Sequence, residues 1–251
     1  VRPKGATLEP GQSAEVQGTL RFNAPVRIEQ PPAPDPPAAP PATADLRADL
    51  SNPWLACWRG ATGQRVLATH LTLRGGRGGN AMPTVEATTP SADPPGVTVT
   101  GKLWADEGAG AGFDTWQQTV AKPGELTVQA KLTARSKFAC GGLAMDTWLP
   151  RTFAEGYEAV FVGGPQAHPP TVMLEPGARR VGCAVATGVR LESGGRRALE
   201  LRGSAPAIWE IFATEDGYVV SEWLLGYYNE PARVAAGGVT QTSLTCQWGT
   251  Q

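Results

Sequence analysis

Two clusters of aromatic and polar residues hold most of the chemistry this sequence can do. In the first, Trp104-Ala105-Asp106-Glu107 runs through Gly108-Ala109-Gly110-Ala111-Gly112 to Phe113-Asp114-Thr115-Trp116-Gln117-Gln118. The second, Trp223 to Glu230, reads WLLGYYNE. A sugar ring presents a flat apolar C–H face that stacks on indole or phenol, and its hydroxyls need planar polar partners such as Asp, Glu, Asn, Gln or Arg. Both clusters place the two kinds of group side by side. The residues expected to contact carbohydrate are therefore Trp104, Asp106, Glu107, Asp114, Trp116, Gln118, Trp223, Tyr227, Tyr228, Asn229 and Glu230. Eight Trp stand against six Phe and four Tyr, a balance weighted toward indole. Core packing competes for the same rings, because a large β domain buries several aromatics. Trp54, Trp58, Trp148, Trp209 and Trp248 lie in strand-like or apolar surroundings and are assigned to the core. Trp116 and Tyr228 have polar, turn-like neighbours, which favours contact with a ligand.

Other chemistry is thinner. Asp106, Glu107 and Asp114 flank a Gly-rich loop whose carbonyls could complete an oxygen shell for calcium. Acidic residues beside glycines are also what any exposed loop contains, and no other cofactor is expected. The two histidines, His70 and His168, have no Cys or carboxylate at ligand spacing and read as structural. Asn229-Glu230-Pro231 matches a tripeptide that supplies the acid/base glutamate in one clan of barrel glycosidases. That chemistry needs a second carboxylate across the scissile bond on a rigid scaffold, and no (β/α) repeat is present to build one. A solvated turn ended by Pro231 is the simpler reading. There is no Gly-x-Ser-x-Gly elbow. Gly75-Gly76-Arg77-Gly78-Gly79 lacks the Lys-Ser/Thr of a phosphate loop and reads as a hairpin turn whose Arg77 could touch a ligand. No catalytic residue is assigned. Glu158, Glu210, Glu222 and Tyr218 are the loose candidates should the fold carry an enzyme in a concave cleft.

The totals exclude several classes. At 251 residues the chain can bury a full core as one large β domain or two small ones. Net charge is −1 with both signs interspersed, unlike the one-sided basic footprint of a nucleic-acid binder. No apolar run approaches the roughly 20 residues that cross a bilayer. A start at Val1-Arg2-Pro3-Lys4, without Met or an apolar signal segment, reads as a mature or excised chain. Cys57, Cys140, Cys183 and Cys246 are far apart, with no Cys-x-x-Cys pair, which argues against zinc. Two disulfides or four free thiols fit the count equally well.

Positioning these residues falls to strands. The 31 Gly and 23 Pro favour turns over helices. Alternating apolar residues follow Pro-Gly or Gly-Gly turns again and again: Ala14, Val16, Leu20 and Phe22; Leu126, Val128, Ala130 and Leu132; Val181, Cys183 and Val185; Thr242, Leu244, Cys246 and Trp248. Leu71 with Leu73, Val97 with Val99, Val189 with Leu191 and Leu199 with Leu201 continue the pattern. Helical signals are confined to Asp45–Ser51 and Arg151–Tyr157. Strands without intervening helices predict an all-β fold, an antiparallel β-sandwich of jelly-roll or supersandwich type with few short helical turns. The proline run of residues 30–45 reads as a semi-rigid spacer, with a strap across the domain face as the alternative. It separates residues 1–29, a strand segment added to the main sandwich or closing a preceding module, from a β-sandwich module over 46–251.

Leu126 to Leu149 (LTVQAKLTARSKFACGGLAMDTWL) and Val189 to Glu222 (VRLESGGRRALELRGSAPAIWEIFATEDGYVVSE) resemble the paired strands of jelly-roll and supersandwich accessory or carbohydrate-binding modules in multimodular bacterial glycoside hydrolases and polysaccharide lyases. The resemblance implies a non-catalytic module, extracellular or periplasmic, whose partners are a polysaccharide or oligosaccharide and the catalytic domain of the same polypeptide. An accessory domain that docks without touching sugar, and a sandwich-fold lyase or hydrolase, are the alternatives. No nucleic acid or membrane span is expected.

Overall fold

The computed structural model describes residues 46–76, 79–167, 169–175, 180–227 and 230–249, without the side chains of residues 76, 79 and 180. The strand segment and spacer expected over residues 1–45 lie outside the described residues, as do Arg77, His168, the Pro176-Gly177 turn, Tyr228 and Asn229.

Chain order begins with β1 (Arg47–Asp49), β2 (Ala56–Arg59), β3 (Arg65–Gly76), β4 (Gly79–Ala81), β5 (Thr84–Ala92) and β6 (Pro95–Asp106). Next come β7 (Ala111–Lys122), β8 (Glu125–Ala134), β9 (Phe138–Cys140), β10 (Gly142–Pro150) and the single helical turn α1 (Arg151–Ala154). The chain continues through β11 (Glu158–Val162), β12 (Thr171–Met173), β13 (Arg180–Ser193), β14 (Arg196–Ala213), β15 (Gly217–Leu225), β16 (Ala232–Val234) and β17 (Val239–Trp248). Among the described residues, fifteen strands join one sheet whose main path is β1-β2-β3-β10-β15-β14-β17-β8-β7-β6-β5, with β9 and β16 paired apart. The ladders are antiparallel. The all-β expectation therefore holds. No described helix is long and apolar enough to cross a membrane.

The 18-residue β14 turns this sheet into a sandwich. Its first half, Leu199–Arg202, pairs with β17, and its second half, Ile208–Ala213, pairs with β15. One layer then holds β5, β6, β7, β8 and β17, and the other holds β3, β10 and β15. Their inner faces meet: Thr69 Oγ1 on β3 lies 3.8 Å from Cys246 Sγ on β17. Leu71, Leu73, Met145 and Val220 from one layer and Leu126, Leu132, Leu244 and Phe113 from the other share one core. Each such side chain contributes about 1.5–3 kcal/mol through burial.

The alternation read from sequence is correct where the ladder is regular. On β8 the buried residues are Leu126, Val128, Ala130 and Leu132, and on β17 they are Thr242, Leu244, Cys246 and Trp248. On β13 it fails. Cys183 and Val185 are exposed while Ala186, Val189 and Leu191 are buried, because a bulge between Ala186 and Gly188 shifts the parity of the strand. A second correction concerns the helical signal at Asp45–Ser51, where Arg47–Asp49 is strand β1 paired to β2. Asp49 holds the turn that follows, accepting the Ser51 N–H at 3.0 Å and Arg59 Nε at 2.7 Å. Arg151–Ala154 does form a helical turn, as expected.

Candidate functional site

On β6, β7 and β8 the residues that alternate with the core point outward, so one face of this layer is built from Thr98, Thr100 and Lys102, from Asp114, Trp116 and Gln118, and from Gln129, Lys131 and Thr133. Register aligns them in cross-strand rows. Thr100, Trp116, Lys131 and Gln241 are successive partners across β6, β7, β8 and β17. Thr98, Gln118, Gln129 and Ser243 form the next row. Directly opposed residues sit about 4.5–5.5 Å apart, so each row is a contact chain.

Trp116 is half-buried in this face. A hollow of about 570 Å³ opens on one side, lined by Glu86, Thr100, Asp114, Lys131 and Thr133. A second hollow, about 280 Å³, is lined by Gln129, Ser204, Gln241 and Ser243. Trp116 and Lys131 belong to the walls of both. Gly101 lies beneath the larger hollow, where a Cβ would stand only 1.7 Å from the Thr84 carbonyl oxygen, so only glycine lets β5 close against β6 here.

The charges around the indole are largely paired. Lys102 donates to Glu86. Arg135 donates to Asp114 at 2.5 Å and lays its guanidinium over the Trp104 ring, 5.3 Å from the centroid. One face of Trp104 is therefore covered by a cation, although its burial is similar to that of Trp116. Among the described residues no carboxylate pairs with Lys131. Asp106 works within the β6–β7 turn, its Oδ1 accepting the Ala109 N–H at 3.2 Å, and Glu107 is exposed beside it. Among the described residues no three His, Cys, Asp or Glu side chains are placed to hold a metal ion together.

The second aromatic cluster lies on the other layer. Trp223, 6% exposed, donates Nε1–H to Glu210 Oε2 at 3.2 Å and packs edge-on against Tyr227, with centroids 5.1 Å apart. Tyr227 and Glu230 exchange backbone hydrogen bonds of 3.1 and 2.9 Å, and the Tyr227 hydroxyl lies 3.2 Å from Cys183 Sγ. The structure thus gathers Asp114, Trp116 and Gln118 on one face and sets Trp223 and Tyr227 on a different one.

Around Trp223 is an arrangement that sequence reasoning missed. Cys183, Glu210, Ser221, Asp146 and His70 are successive cross-strand partners over β13, β14, β15, β10 and β3. Arg74 Nη2 reaches both Asp146 oxygens at 2.7 Å, and Ser221 donates to Asp146 Oδ1 at 2.6 Å. The same guanidinium stacks on Trp223 and Phe212 at 5.2 and 5.5 Å. Burial is the main cause that lowers the His70 pKa, with Asp146 opposing it. His70 and Arg74, four apart on β3, share a face by simple alternation, a signal present in the sequence. Asp146 and Ser221 join them only through long-range pairing, which no local pattern announces.

The loose enzymatic candidates do not converge. Glu222 and Glu210 sit at opposite parity on their ladder, so Glu222 points into the core while Glu210 points to the Trp223 face. Burial pushes the Glu222 carboxyl up to about 7, and the Thr242 hydroxyl, 3.3 Å from both of its oxygens, opposes that only in part. Tyr218 is fully buried, and Glu158 is an exposed residue of β11.

No protein-family model matches this sequence, and no curated protein matches it. Solved structures do. A protein from Synechocystis sp. PCC 6803 is 10% identical, covers 90% of this chain and all of its own, and superposes with a TM-score of 0.52. A galactose mutarotase related enzyme from Lactobacillus acidophilus is 10% identical over 82% of this chain and 97% of its own, with a TM-score of 0.51. A candidate mutarotase from Salmonella typhimurium is 13% identical over 86% and 97%, with a TM-score of 0.51. At such identities the likeness is one of fold: a β-sandwich also found in sugar-related proteins.

Proposed function

We propose that this protein is a non-catalytic carbohydrate-binding module of a secreted polysaccharide-degrading enzyme, acting outside the cytoplasm. The observation that carries the reading is Trp116, an indole only partly buried between two hollows on the outer face of the sheet. A hexose or pentose stacks on that ring while Thr100, Gln129, Gln241 and Ser243 meet its hydroxyls. The strands fix the backbone beneath these side chains, so binding orders side-chain rotamers and no loop. The mechanism is tethering: a linked module raises the glycan concentration seen by its catalytic partner, with no chemistry of its own. Affinity electrophoresis through gels containing soluble β-glucan, xylan and other plant, algal or microbial polysaccharides tests it. Retardation by at least one glycan, lost in Trp116→Ala, is the expected result. Free migration in every gel would sink the reading.

A second reading is favoured by one observation, the gathering of His70, Asp146, Arg74 and Glu210 on one face of a fold shared with a mutarotase-related enzyme. It would make the protein a sugar-directed acid–base catalyst. Against it, Asp146 is engaged on both oxygens by Arg74 and on one by Ser221, the pattern of a structural ion pair. Polarimetry decides: a binding module leaves the mutarotation rate of free galactose and glucose unchanged, whereas a catalyst accelerates it.

A further inference from the structure

We infer that the Trp116 groove selects an acidic glycan, one whose sugar rings carry a carboxylate, with Lys131 as the residue that reads the charge. This rests on the carbohydrate-binding reading and narrows it to a substrate class. The groove's two carboxylates are already neutralised, Glu86 by Lys102 and Asp114 by Arg135. What remains is the Lys131 ammonium, exposed, with no carboxylate partner among the described residues. It stands directly across the ladder from Trp116 and, like it, forms part of the wall of both hollows. A neutral sugar would not need that charge. A uronate does: when the ring lies flat on an indole, its C5 carboxylate projects from the ring edge, where a cross-strand neighbour of the tryptophan is within reach. Ammonium-to-carboxylate hydrogen bonds are stronger than neutral ones. A paired cation such as Lys102 or Arg135 would have to release its own carboxylate first.

The test uses the full chain in affinity electrophoresis with polygalacturonate, alginate and glucuronoxylan, each beside its methyl-esterified form, which keeps the backbone and removes the charge. At least one free-acid polymer is expected to bind about three-fold more tightly than its ester, the scale of one exposed ion pair. Added salt is expected to erase the difference. Lys131→Gln should bring the acid form down to the level of the ester, while Trp116→Ala should abolish binding to both. Equal retardation by acid and ester, or a preference that survives Lys131→Gln, overturns the charge-reading role and leaves carbohydrate binding intact. No retardation by any acid, ester or neutral polymer overturns both.

Discussion

A single nitrogen of Arg74, Nη2, lies 2.7 Å from each oxygen of Asp146, joining β3 to β10 on the face where Ser221 and Trp223 close around them. The pair is mostly out of water, with side chains 19% and 7% exposed. Taking two charges from water costs heavily, and their attraction repays it only while both are present. This pair therefore acts as a latch between strands.

Removing one half of the latch should be worse than removing both. Arg74→Ala leaves the Asp146 carboxylate buried with only Ser221, among the described residues, hydrogen-bonded to it, and is expected to cost about 3 kcal/mol. For a domain of this size that is about 10 °C in melting temperature. Arg74→Met combined with Asp146→Leu is expected to cost less than the sum of the single changes. Circular-dichroism melts of Arg74→Met, Asp146→Leu and the double variant measure the coupling, and additive losses would show that the two side chains do not act as a pair.

Glu222 makes stability depend on pH. Its folded carboxyl is raised to about 7, above the ordinary 4.5, because β15 carries it into the core. The unfolded chain therefore gives up this proton first. The native state has its full stability below pH 4.5 as far as this group is concerned, and loses it progressively as pH rises to about 7. The loss is about 3 kcal/mol. Gly203 makes room for the carboxyl, since a Cβ there would stand 2.4 Å from Glu222 Oε1. Glu222→Gln is expected to flatten the fall in melting temperature between pH 5 and pH 8. An unchanged slope would assign that fall to other groups.

The sequence was most legible where structure is local. Period-two alternation placed Leu126 to Leu132 and Thr242 to Trp248 on strands with the right side inward. It failed at Cys183 and Val185 on β13, where a bulge marked only by the isolated Gly188 exchanges inner for outer residues. Trp116 could be singled out because its sequence neighbours Asp114, Gln117 and Gln118 are polar. Lys131 could not, since it becomes the partner of Trp116 only through the β7–β8 register. Trp223 misleads in the opposite way: Tyr227 and Glu230 follow it closely, yet the indole is drawn inward by Glu210, Arg74 and Tyr227, two of them distant in sequence.

The two tryptophans should separate binding from stability. Trp223→Ala removes a buried ring that Glu210 and Arg74 both lean on, and is expected to cost about 3–5 kcal/mol. Trp116→Ala trims a partly buried ring from an outer face and is expected to cost about 1–2 kcal/mol. Glycan retardation should follow the opposite order, vanishing in Trp116→Ala and surviving in whatever fraction of Trp223→Ala stays folded. A Trp116→Ala protein that melts as early as Trp223→Ala would show its ring to be structural.

The four cysteines, left open between thiol and disulfide by their spacing, are all free, and they divide by exposure. Cys183 is exposed beside the Tyr227 hydroxyl, whereas Cys57, Cys140 and Cys246 are buried. Burial raises the pKa of all three, that of Cys246 to about 12, and the thiolate is the form that attacks a disulfide reagent. Native protein should therefore react quickly with Ellman's reagent at one thiol, the other three following only at the rate of structural opening. Unfolding in guanidinium chloride should expose all four. Cys183→Ser is expected to abolish the fast phase and leave the slow one. Because no disulfide closes a loop, added dithiothreitol should not move the melting temperature. A large drop on reduction, or fewer than four thiols in the unfolded chain, would mean that two of these sulfurs are bonded in solution.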